Sequence, residues 1–343
     1  MINIAVAGCG YWGPNLIRNF IENRDCRVTH CCDSSKDSVD KVIRSYPYIN
    51  GVNDYEEIIS SPGIDAVVIA TPVKTHFELS KKALMSGKHV LVEKPLAFTS
   101  GEAMELIELS ERMGKVLMTG HTFEFNPAVR MLKDIIRSTA VGIPLYFYST
   151  RVNLGIIRDD INSMWNLAPH DISILIYLME EFPVAVSAFG KSFIQKGIED
   201  VVFMYIEFPS GAVAHVHTSW LDPSKVRKLT VVCEKKMVVY DDVDNEAKLK
   251  IYDKGFETKL ATDGGIRDYI IRPRAGAIFI PKVDNTEPLK IECSHFIECI
   301  VNGKKPLTDG LSGMRVVNVL ETAGASLKDG GVRKETNWKR LAL

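Results

Sequence analysis

Three glycines directly after a short apolar run restrict most strongly what this chain can fold into. The run INIAVAG leads into GCGYWGPNLIRNF, where Gly8, Gly10 and Gly13 form the pattern G-x-G-x-x-G. The apolar residues that follow recur with helical spacing. In a strand–turn–helix unit the first glycine forms the tight turn, the second admits a pyrophosphate and the third lets helix and strand pack closely. We therefore predict that a dinucleotide binds at the start of this helix and contacts these glycines, Tyr11 and Trp12.

An acidic residue at the end of the second apolar run supports this interpretation. Alone, the glycine motif also fits a turn in another kind of α/β protein. The run CRVTHCCD ends on Asp33, about twenty residues after the last glycine, where an acid binds the adenosine ribose hydroxyls. Because its charge repels a 2′-phosphate, we expect NAD rather than NADP, although Ser34, Ser35 and Lys36 soften that preference.

Strands and helices alternate through the first third of the chain. Apolar runs at 63–71, 88–95 and 115–121 are separated by helical segments at 76–87 and 99–113. This alternation predicts a doubly wound parallel sheet of the Rossmann type, in which ligands bind at the carboxyl ends of the strands. The residues expected there, next to the cofactor, are Thr71, Pro72, His76, Glu93, Lys94 and His121. The two histidines are equally compatible with loop histidines that are satisfied by their own surroundings.

From about residue 144 the pattern changes to β-branched and aromatic runs joined by short turns such as Pro209-Ser210-Gly211. Short connections predict antiparallel pairing. Helical segments at 167–181, 289–303 and 310–328 interrupt or close this part, whereas 262–288 has no clear pattern. We expect an α/β protein with an NAD-binding Rossmann domain over 1–122 and a substrate-binding and oligomerisation domain of α+β type over 123–343. The last helix, 310–328, is expected to pack back on the first domain.

Composition narrows the range of partners. The net charge of −1 gives no support for a nucleic-acid partner or an anionic membrane surface. There is no apolar run of about 18 residues and no recognisable signal peptide, and the seven cysteines lack zinc-ligand spacing, so we expect a cytoplasmic protein without a metal. His215 and His217 share a strand face, but no third ligand is evident nearby. A sheet with one uncovered face predicts a homodimer or homotetramer built through that face.

The order of several motifs resembles the glucose–fructose oxidoreductase, inositol dehydrogenase and MocA-type (Gfo/Idh/MocA) family. These motifs are GCGYWG, the acid Asp33, ATP at 70–72, EKP at 93–95, APHDIS at 168–173 and the closing PLTDGLSGMRVVNVLETAGAS. The resemblance implies a Rossmann domain followed by a domain with a large, open, mostly antiparallel sheet. It also implies NAD(P)-dependent oxidation or reduction of a sugar or cyclitol at a secondary alcohol.

The resemblance also suggests the reacting side chains. It places the family's catalytic lysine on Lys94, a proline often preceded by a cis bond on Pro95, and the catalytic histidine on His170. Where most members carry an aspartate, this chain has Asn166, whose neutral amide can orient a hydroxyl but cannot take a proton. We expect His170 to accept the proton and Lys94 to position the oxygen, with the reverse assignment open. The alternatives are a solvated strand-end lysine and a histidine that caps the start of its own helix.

Further side chains are candidates for binding the substrate. Arg151 and Asn153, at the end of a strand, fit either a sugar or diphosphate ligand or ordinary sheet-end polarity. Trp165 fits a wall of the nicotinamide pocket or a core tryptophan equally well.

The stretch RVNLGIIRDDINSMWNLAPHDISIL resembles the branch that oxidises the 3-hydroxyl of UDP-N-acetylglucosamine or its uronic acid. A nucleotide-sugar 3-dehydrogenase is therefore the leading hypothesis. A dehydrogenase of a free sugar or inositol, a 3-keto-sugar reductase and a non-catalytic NAD sensor are the alternatives. Asn166 favours the sensor, whereas the presence of both Lys94 and His170 argues against it.

Overall fold

A computed structural model describes residues 1–155, 157–263 and 266–337, with the backbone alone described for 257–263 and 266–271. The strands are β1 Ile2–Ala7, β2 Cys26–Cys32, β3 Asn50–Val52, β4 Ala66–Ile69, β5 His89–Glu93, β6 Leu117–Gly120, β7 Pro144–Val152, β8 Ala185–Lys191, β9 Val201–Glu207, β10 Val213–Ser219, β11 Val226–Cys233, β12 Met237–Asp241, β13 Leu249–Tyr252, β14 Gly255–Asp263, β15 Ile266–Arg274, β16 Ile278–Phe279 and β17 Lys334–Glu335. The helices are α1 Gly13–Ile21, α2 Lys36–Ser45, α3 Tyr55–Ser60, α4 His76–Met85, α5 Ser100–Met113, α6 Pro127–Arg137, α7 Ser163–Met179, α8 Pro288–Asn302 and α9 Gly310–Lys328.

The first of two compact units contains the predicted Rossmann sheet. Within the described residues its strands follow the order β3-β2-β1-β4-β5-β6 and all pair in parallel, which confirms the predicted fold class. Strand β4 is buried along its whole length, as expected of a parallel strand covered by helices on both faces. The chain order reverses between β1 and β4, and in such sheets the ligand crevice opens at the carboxyl ends of the strands flanking this reversal.

Helix α8 belongs to this first unit, which comprises mainly Met1–Phe125 and Thr286–Glu321. The buried residues Leu289, Cys293 and Phe296 give α8 one apolar face. That face joins the core around α1, where Phe296 packs edge-on against Phe20 with ring centroids 6.3 Å apart. The sequence prediction placed α8 in the second domain. The structure instead groups α8 with the first unit, because α8 buries its apolar face there, and the start of α9 also belongs to this unit.

The second unit, Asn126–Asn285 with Thr322–Thr336, contains the larger sheet. Among the described residues its strands follow the order β16-β13-β12-β11-β7-β10-β9-β8-β17, and the sheet is mostly antiparallel, as predicted. The hairpin β9–β10 turns at Gly211, whose φ of +90° is suited to glycine. Strands β7 and β10 pair in parallel, an exception that the short-connection argument missed. Strands β14 and β15 pair antiparallel and include part of the segment 262–288, which has no clear pattern in the sequence.

Helix α7 differs from the prediction at its start. It begins at Ser163, because the side chain of Asn162 caps it by accepting the N–H of Trp165 at 3.1 Å. Pro169 lies inside the helix, not in its first turn. His170 is therefore an interior helical residue, and its interpretation as a cap at the helix start is wrong. In the described part of the chain, no helix is long and apolar enough to cross a membrane.

Candidate active site

The glycine turn after β1 is tightly packed at two of its three glycines. Gly8 has a φ of +97°, and a Cβ there would lie 2.5 Å from the carbonyl oxygen of Ala70. A Cβ on Gly13 would lie 1.9 Å from the carbonyl oxygen of Gly8, whereas a Cβ on Gly10 would meet no atom within 4 Å. The first and third glycines therefore serve packing, and the second leaves open space above the turn.

Asp33 is held against this turn at the end of β2. One carboxylate oxygen accepts the N–H of Cys9 at 2.7 Å, and the other accepts the N–H of Ser35 at 2.8 Å. The side chain of Asn53 donates to the backbone oxygen of Asp33 at 2.7 Å. A cavity of about 520 Å³ opens beside the turn and is lined by Cys9, Gly10, Tyr11, Pro14, Ser38, Lys41, Val42, Ser45 and Tyr46.

A histidine joins the two turns that follow β4 and β5. The Nδ1 atom of His76 lies 2.7 Å from the carbonyl oxygen of Pro95, and its Nε2 atom lies 2.8 Å from the carbonyl oxygen of Thr71. The peptide bond between Lys94 and Pro95 is cis. His76 is buried, so it holds the backbone of these two turns together instead of facing an open cleft. Pro72, beside it, is exposed.

Trp12 connects the glycine turn to the turn that carries Lys94. Its indole N–H donates to the carboxylate of Glu93 at 2.6 Å, and the second oxygen of that carboxylate accepts the backbone N–H of Lys94 at 3.3 Å. Trp12 is 36% exposed and the neighbouring Tyr11 is 90% exposed, which leaves both rings accessible to a ligand.

The charge of Lys94 influences three neighbouring groups. Burial raises the pKa of Glu93 to about 7, opposed by the Lys94 cation and by the hydrogen bond from Trp12. Burial, followed by the Lys94 cation, lowers the pKa of His121 to about 3. Burial also lowers the pKa of His76, although the two carbonyl contacts favour its charged form. Both histidines are therefore neutral at pH 7, next to a cationic lysine.

Buried acids from outside the motifs complete these surroundings, and they were not among the residues predicted from the sequence. Glu292 on α8 is fully buried and accepts the hydroxyl of Thr122 at 2.7 Å. Burial, then the charge of Glu93, raises its pKa well above the ordinary value. Glu124 is buried as well. The sequence does contain a sign that Glu292 is buried, because it lies three residues after Leu289 on the apolar face of its helix.

In the second unit, Asn166 and His170 lie one turn apart on the same face of α7, and both are half-buried. Trp165 is half-buried too, and both interpretations of its ring remain predictions. Asn153 follows β7, is half-buried, and donates its backbone N–H to the carbonyl of Ser219 at 3.2 Å.

Arg151 occupies a different place from the one expected of a ligand-binding side chain. It is only 3% exposed, and its Nε atom donates to the carboxylate of Asp171 at 2.6 Å. An arginine buried on a carboxylate is not open to a sugar or a diphosphate, so this placement does not fit the sequence-based expectation. His215 and His217 stack on Phe203, with ring centroids 5.9 and 4.3 Å apart. Among the residues whose side chains are described, no cluster of His, Cys, Asp or Glu is arranged to hold a metal ion.

The parallel sheet, its glycine turn and the acid after β2 define an NAD(P)-binding Rossmann oxidoreductase with a second, open-sheet domain. Comparison with known families supports this class on both parts of the chain. Residues 2–121 match the model of the oxidoreductase family with an NAD-binding Rossmann fold, and residues 129–239 match the Gfo/Idh/MocA C-terminal domain. The chain belongs to the Gfo/Idh/MocA family of oxidoreductases.

Two relatives with named activities are 26% and 28% identical to this chain. A scyllo-inositol 2-dehydrogenase (NAD(+)) of Bacillus subtilis is 26% identical over 341 residues, 96% of this chain and 95% of the relative. A UDP-N-acetylglucosamine 3-dehydrogenase of Acidithiobacillus ferrooxidans is 28% identical over 255 residues, 74% of this chain and 76% of the relative. A solved structure of the latter enzyme superposes with a TM-score of 0.80 at 23% identity, covering 96% of this chain and 98% of the other.

Proposed function

We propose that this protein is an NAD-dependent dehydrogenase that oxidises a secondary hydroxyl of a sugar. The substrate we favour is a UDP-linked N-acetylhexosamine or its uronic acid, oxidised at C3. The observation that carries the proposal is the Trp12–Glu93 hydrogen bond of 2.6 Å, which ties the glycine turn to the turn that carries Lys94. A lysine beside a dinucleotide-binding turn, with neutral histidines around it, is suited to hold an alcohol oxygen close to a nicotinamide.

The proposed roles divide the chemistry between two side chains. Bound NAD supplies the hydride acceptor, and the protein must orient the alcohol and remove its proton. His170 accepts that proton, because histidine is the side chain that most often acts as a general base. Lys94 donates a hydrogen bond to the same oxygen and stabilises the negative charge that develops on it. Asn166, one helical turn from His170, orients the hydroxyl without taking part in proton transfer.

We propose NAD rather than NADP because of Asp33. Its carboxylate lies against the glycine turn through the 2.7 Å bond from Cys9, where a 2′-phosphate would meet a negative charge. Titration of the protein with NAD and with NADP tests this preference directly. NAD should bind more tightly, and Asp33→Ser should narrow or reverse the difference. Equal affinities in the unaltered protein would refute the proposed role of Asp33.

The substrate is tested by following NADH formation with a panel of alcohols. UDP-N-acetylglucosamine, its uronic acid, myo-inositol, scyllo-inositol and glucose are offered in turn with NAD. Turnover with a UDP-sugar alone supports the favoured substrate. Turnover with a free inositol supports the second candidate, which the inositol-dehydrogenase relative favours because it aligns with 96% of this chain. Lys94→Ala and His170→Ala should each lower turnover by about 100-fold or more, whereas Lys328→Ala, which removes an exposed lysine, should not.

We further propose that the protein assembles through the outer face of its larger sheet. Large aromatic side chains on that face are between 41% and 58% exposed; they are Tyr146, Tyr148, Phe189, Phe203 and Tyr205. His215 pairs in register with Tyr148 on one side and Tyr205 on the other, so the patch is continuous across three strands. A second copy of the same face would bury it by two-fold symmetry. Sedimentation should show a dimer or tetramer, with Tyr148→Glu shifting it towards monomer, and a monomeric unaltered protein at micromolar concentration would refute this assembly.

A further inference from the structure

A buried ion pair lies directly behind the helix turn that carries His170. Arg151 on β7 and Asp171 on α7 are each 3% exposed. The Nε atom of Arg151 donates to one oxygen of Asp171 at 2.6 Å, and Nη2 approaches the other at 3.3 Å. The hydroxyl of Ser149, also on β7, donates to that second oxygen at 2.6 Å. Both oxygens of Asp171 are therefore bound by donors from a single strand.

This part of α7 needs support from outside the helix. Pro169 has no N–H, so it cannot donate the usual helical hydrogen bond to the carbonyl of Trp165. The missing donor lies directly before His170, in the turn whose orientation matters for the proposed reaction. Asp171 comes directly after His170 and ties this turn to β7. The hydroxyl of Ser173 adds a bond of 2.9 Å to the carbonyl of His170.

Groups on β12, directly after β12 and directly before α6 surround this ion pair. Burial lowers the pKa of Arg151, but the charge of Asp171 and its hydrogen bond outweigh burial and raise it overall. Arg151 is therefore a permanent cation. The negative charge of Asp242 also acts on it, and Tyr240 donates to Asp242 at 2.9 Å. The amide of Asn126 donates to the Tyr240 hydroxyl at 3.1 Å.

We propose that Arg151 and Asp171 are positioning residues that orient the imidazole of His170 for proton transfer. Successive side chains of an α-helix are about 100° apart around its axis. When Asp171 is fixed towards β7, the rotation of α7 is fixed, and His170 is directed to the half-buried face that it shares with Asn166. This inference rests on the proposed role of His170 as the proton acceptor. It also accounts for why the arginine at the end of β7 is buried instead of facing a ligand.

The test replaces the pair by apolar residues of similar size, in the double variant Arg151→Met/Asp171→Leu. Such replacements remove both charges without leaving one unpaired, and they commonly preserve stability. Because a displacement of about 1 Å costs roughly 100-fold in rate, we expect kcat to fall by about 10- to 100-fold. The dissociation constant for NAD, which binds the other unit, should stay within about twofold. A folded double variant with unchanged kcat would overturn the proposal.

A second comparison separates positioning from general loosening of the fold. His170→Ala should cost roughly 100-fold or more in the unaltered protein, the usual contribution of a general base. In the double variant the same change should cost about tenfold or less, because the imidazole is already misplaced and contributes only what remains of its effect. Full additivity of the two effects would contradict the proposal. If His170→Ala leaves the activity of the unaltered protein unchanged, the proposed function of His170 is refuted. If His170→Ala loses activity but the double variant Arg151→Met/Asp171→Leu keeps it, only the positioning role is refuted.

A conservative variant covers the case in which the double variant does not fold. Arg151→Lys keeps the charge but cannot grip a carboxylate with two nitrogens. We expect an intermediate loss of kcat, of about threefold to tenfold, with the KM for NAD unchanged. The pH titration of the His170 ring by NMR, assigned through its loss in His170→Ala, gives a readout that needs no substrate. Its midpoint should move in Arg151→Lys, and an unmoved midpoint together with full activity would overturn the proposal.

Discussion

The same added methyl group should lower the stability of the protein at Gly13 but leave it nearly unchanged at Gly10. A Cβ on Gly13 would lie 1.9 Å from the carbonyl oxygen of Gly8, whereas relaxed non-bonded heavy atoms lie about 3.5 Å apart. The turn must therefore shift by more than about 1 Å, and overpacking of this kind costs about 1–3 kcal/mol of stability or more. A Cβ on Gly10 would meet no atom within 4 Å, so Gly10→Ala should change the stability by less than about 1 kcal/mol.

The effect of Gly10→Ala should appear in cofactor binding instead. The methyl group would occupy the space above the turn in which a pyrophosphate accepts backbone N–H groups. Losing one hydrogen bond to a charged group costs about 1.5–3 kcal/mol, which is roughly a 10- to 150-fold increase in the dissociation constant for NAD. Urea unfolding and calorimetric titration with NAD measure the two quantities separately. A stable Gly10→Ala protein that binds NAD as tightly as the unaltered protein would refute the proposed location of the pyrophosphate.

Three further predictions concern the groups around Lys94. Trp12→Phe keeps an aromatic side chain but removes the indole N–H that donates to Glu93, and we expect NAD affinity to fall by about tenfold in the same titration. Because the pKa of His121 is about 3 in the folded state and near 6.5 unfolded, the unfolded state binds more protons between those values, and stability falls on acidification. The free energy of unfolding should fall by about 2 kcal/mol between pH 7 and pH 5 for this reason. His121→Asn, measured by urea unfolding, should not show this loss. Equal pH dependence of the two proteins would contradict the lowered pKa of His121. The raised pKa of Glu93 has the opposite effect, because the folded state then binds more protons than the unfolded state between about pH 4.5 and pH 7. Glu93→Gln should therefore gain stability relative to the unaltered protein as the pH rises through this range, and no relative gain would contradict the raised pKa.

The Rossmann half of the chain was predictable because its signals are local. The glycine spacing, the apolar run of β4 and the acid after β2 each depend on a few neighbouring residues. The last two helices were also predicted within one residue of their observed ends, at Pro288–Asn302 and Gly310–Lys328. A proline at the first position and a glycine after the end mark α8, and both signals act through local backbone geometry.

The start of α7 was mispredicted for an equally local reason. Proline is common in the first turn of a helix, so Pro169 is compatible with a start near residue 167. The capping side chain of Asn162 is a competing signal, and it determines the observed start at Ser163. Asparagine also occurs in many turns, so the sequence alone did not distinguish these two starts.

Features that depend on distant partners were not predictable. Arg151 finds Asp171 twenty residues further along, and neither residue type reveals this choice, because both are ordinary at the surface. The parallel pairing of β7 with β10 and the packing of α8 on α1 also depend on tertiary contacts between segments far apart in sequence. The buried acid Glu292 left only a weak trace in the helical pattern.

The most direct test of the central claim follows the hydrogen atom itself. UDP-N-acetylglucosamine carrying deuterium at C3 is incubated with the protein and NAD, and the nicotinamide product is analysed by mass spectrometry, with the Lys94→Ala protein as the control. The proposed function predicts one deuterium in the reduced nicotinamide formed by the unaltered protein and none with the control. Reduced nicotinamide without deuterium would contradict oxidation at C3. If a protein that binds NAD forms no reduced nicotinamide with any sugar or cyclitol tested, the proposed dehydrogenase activity would be contradicted.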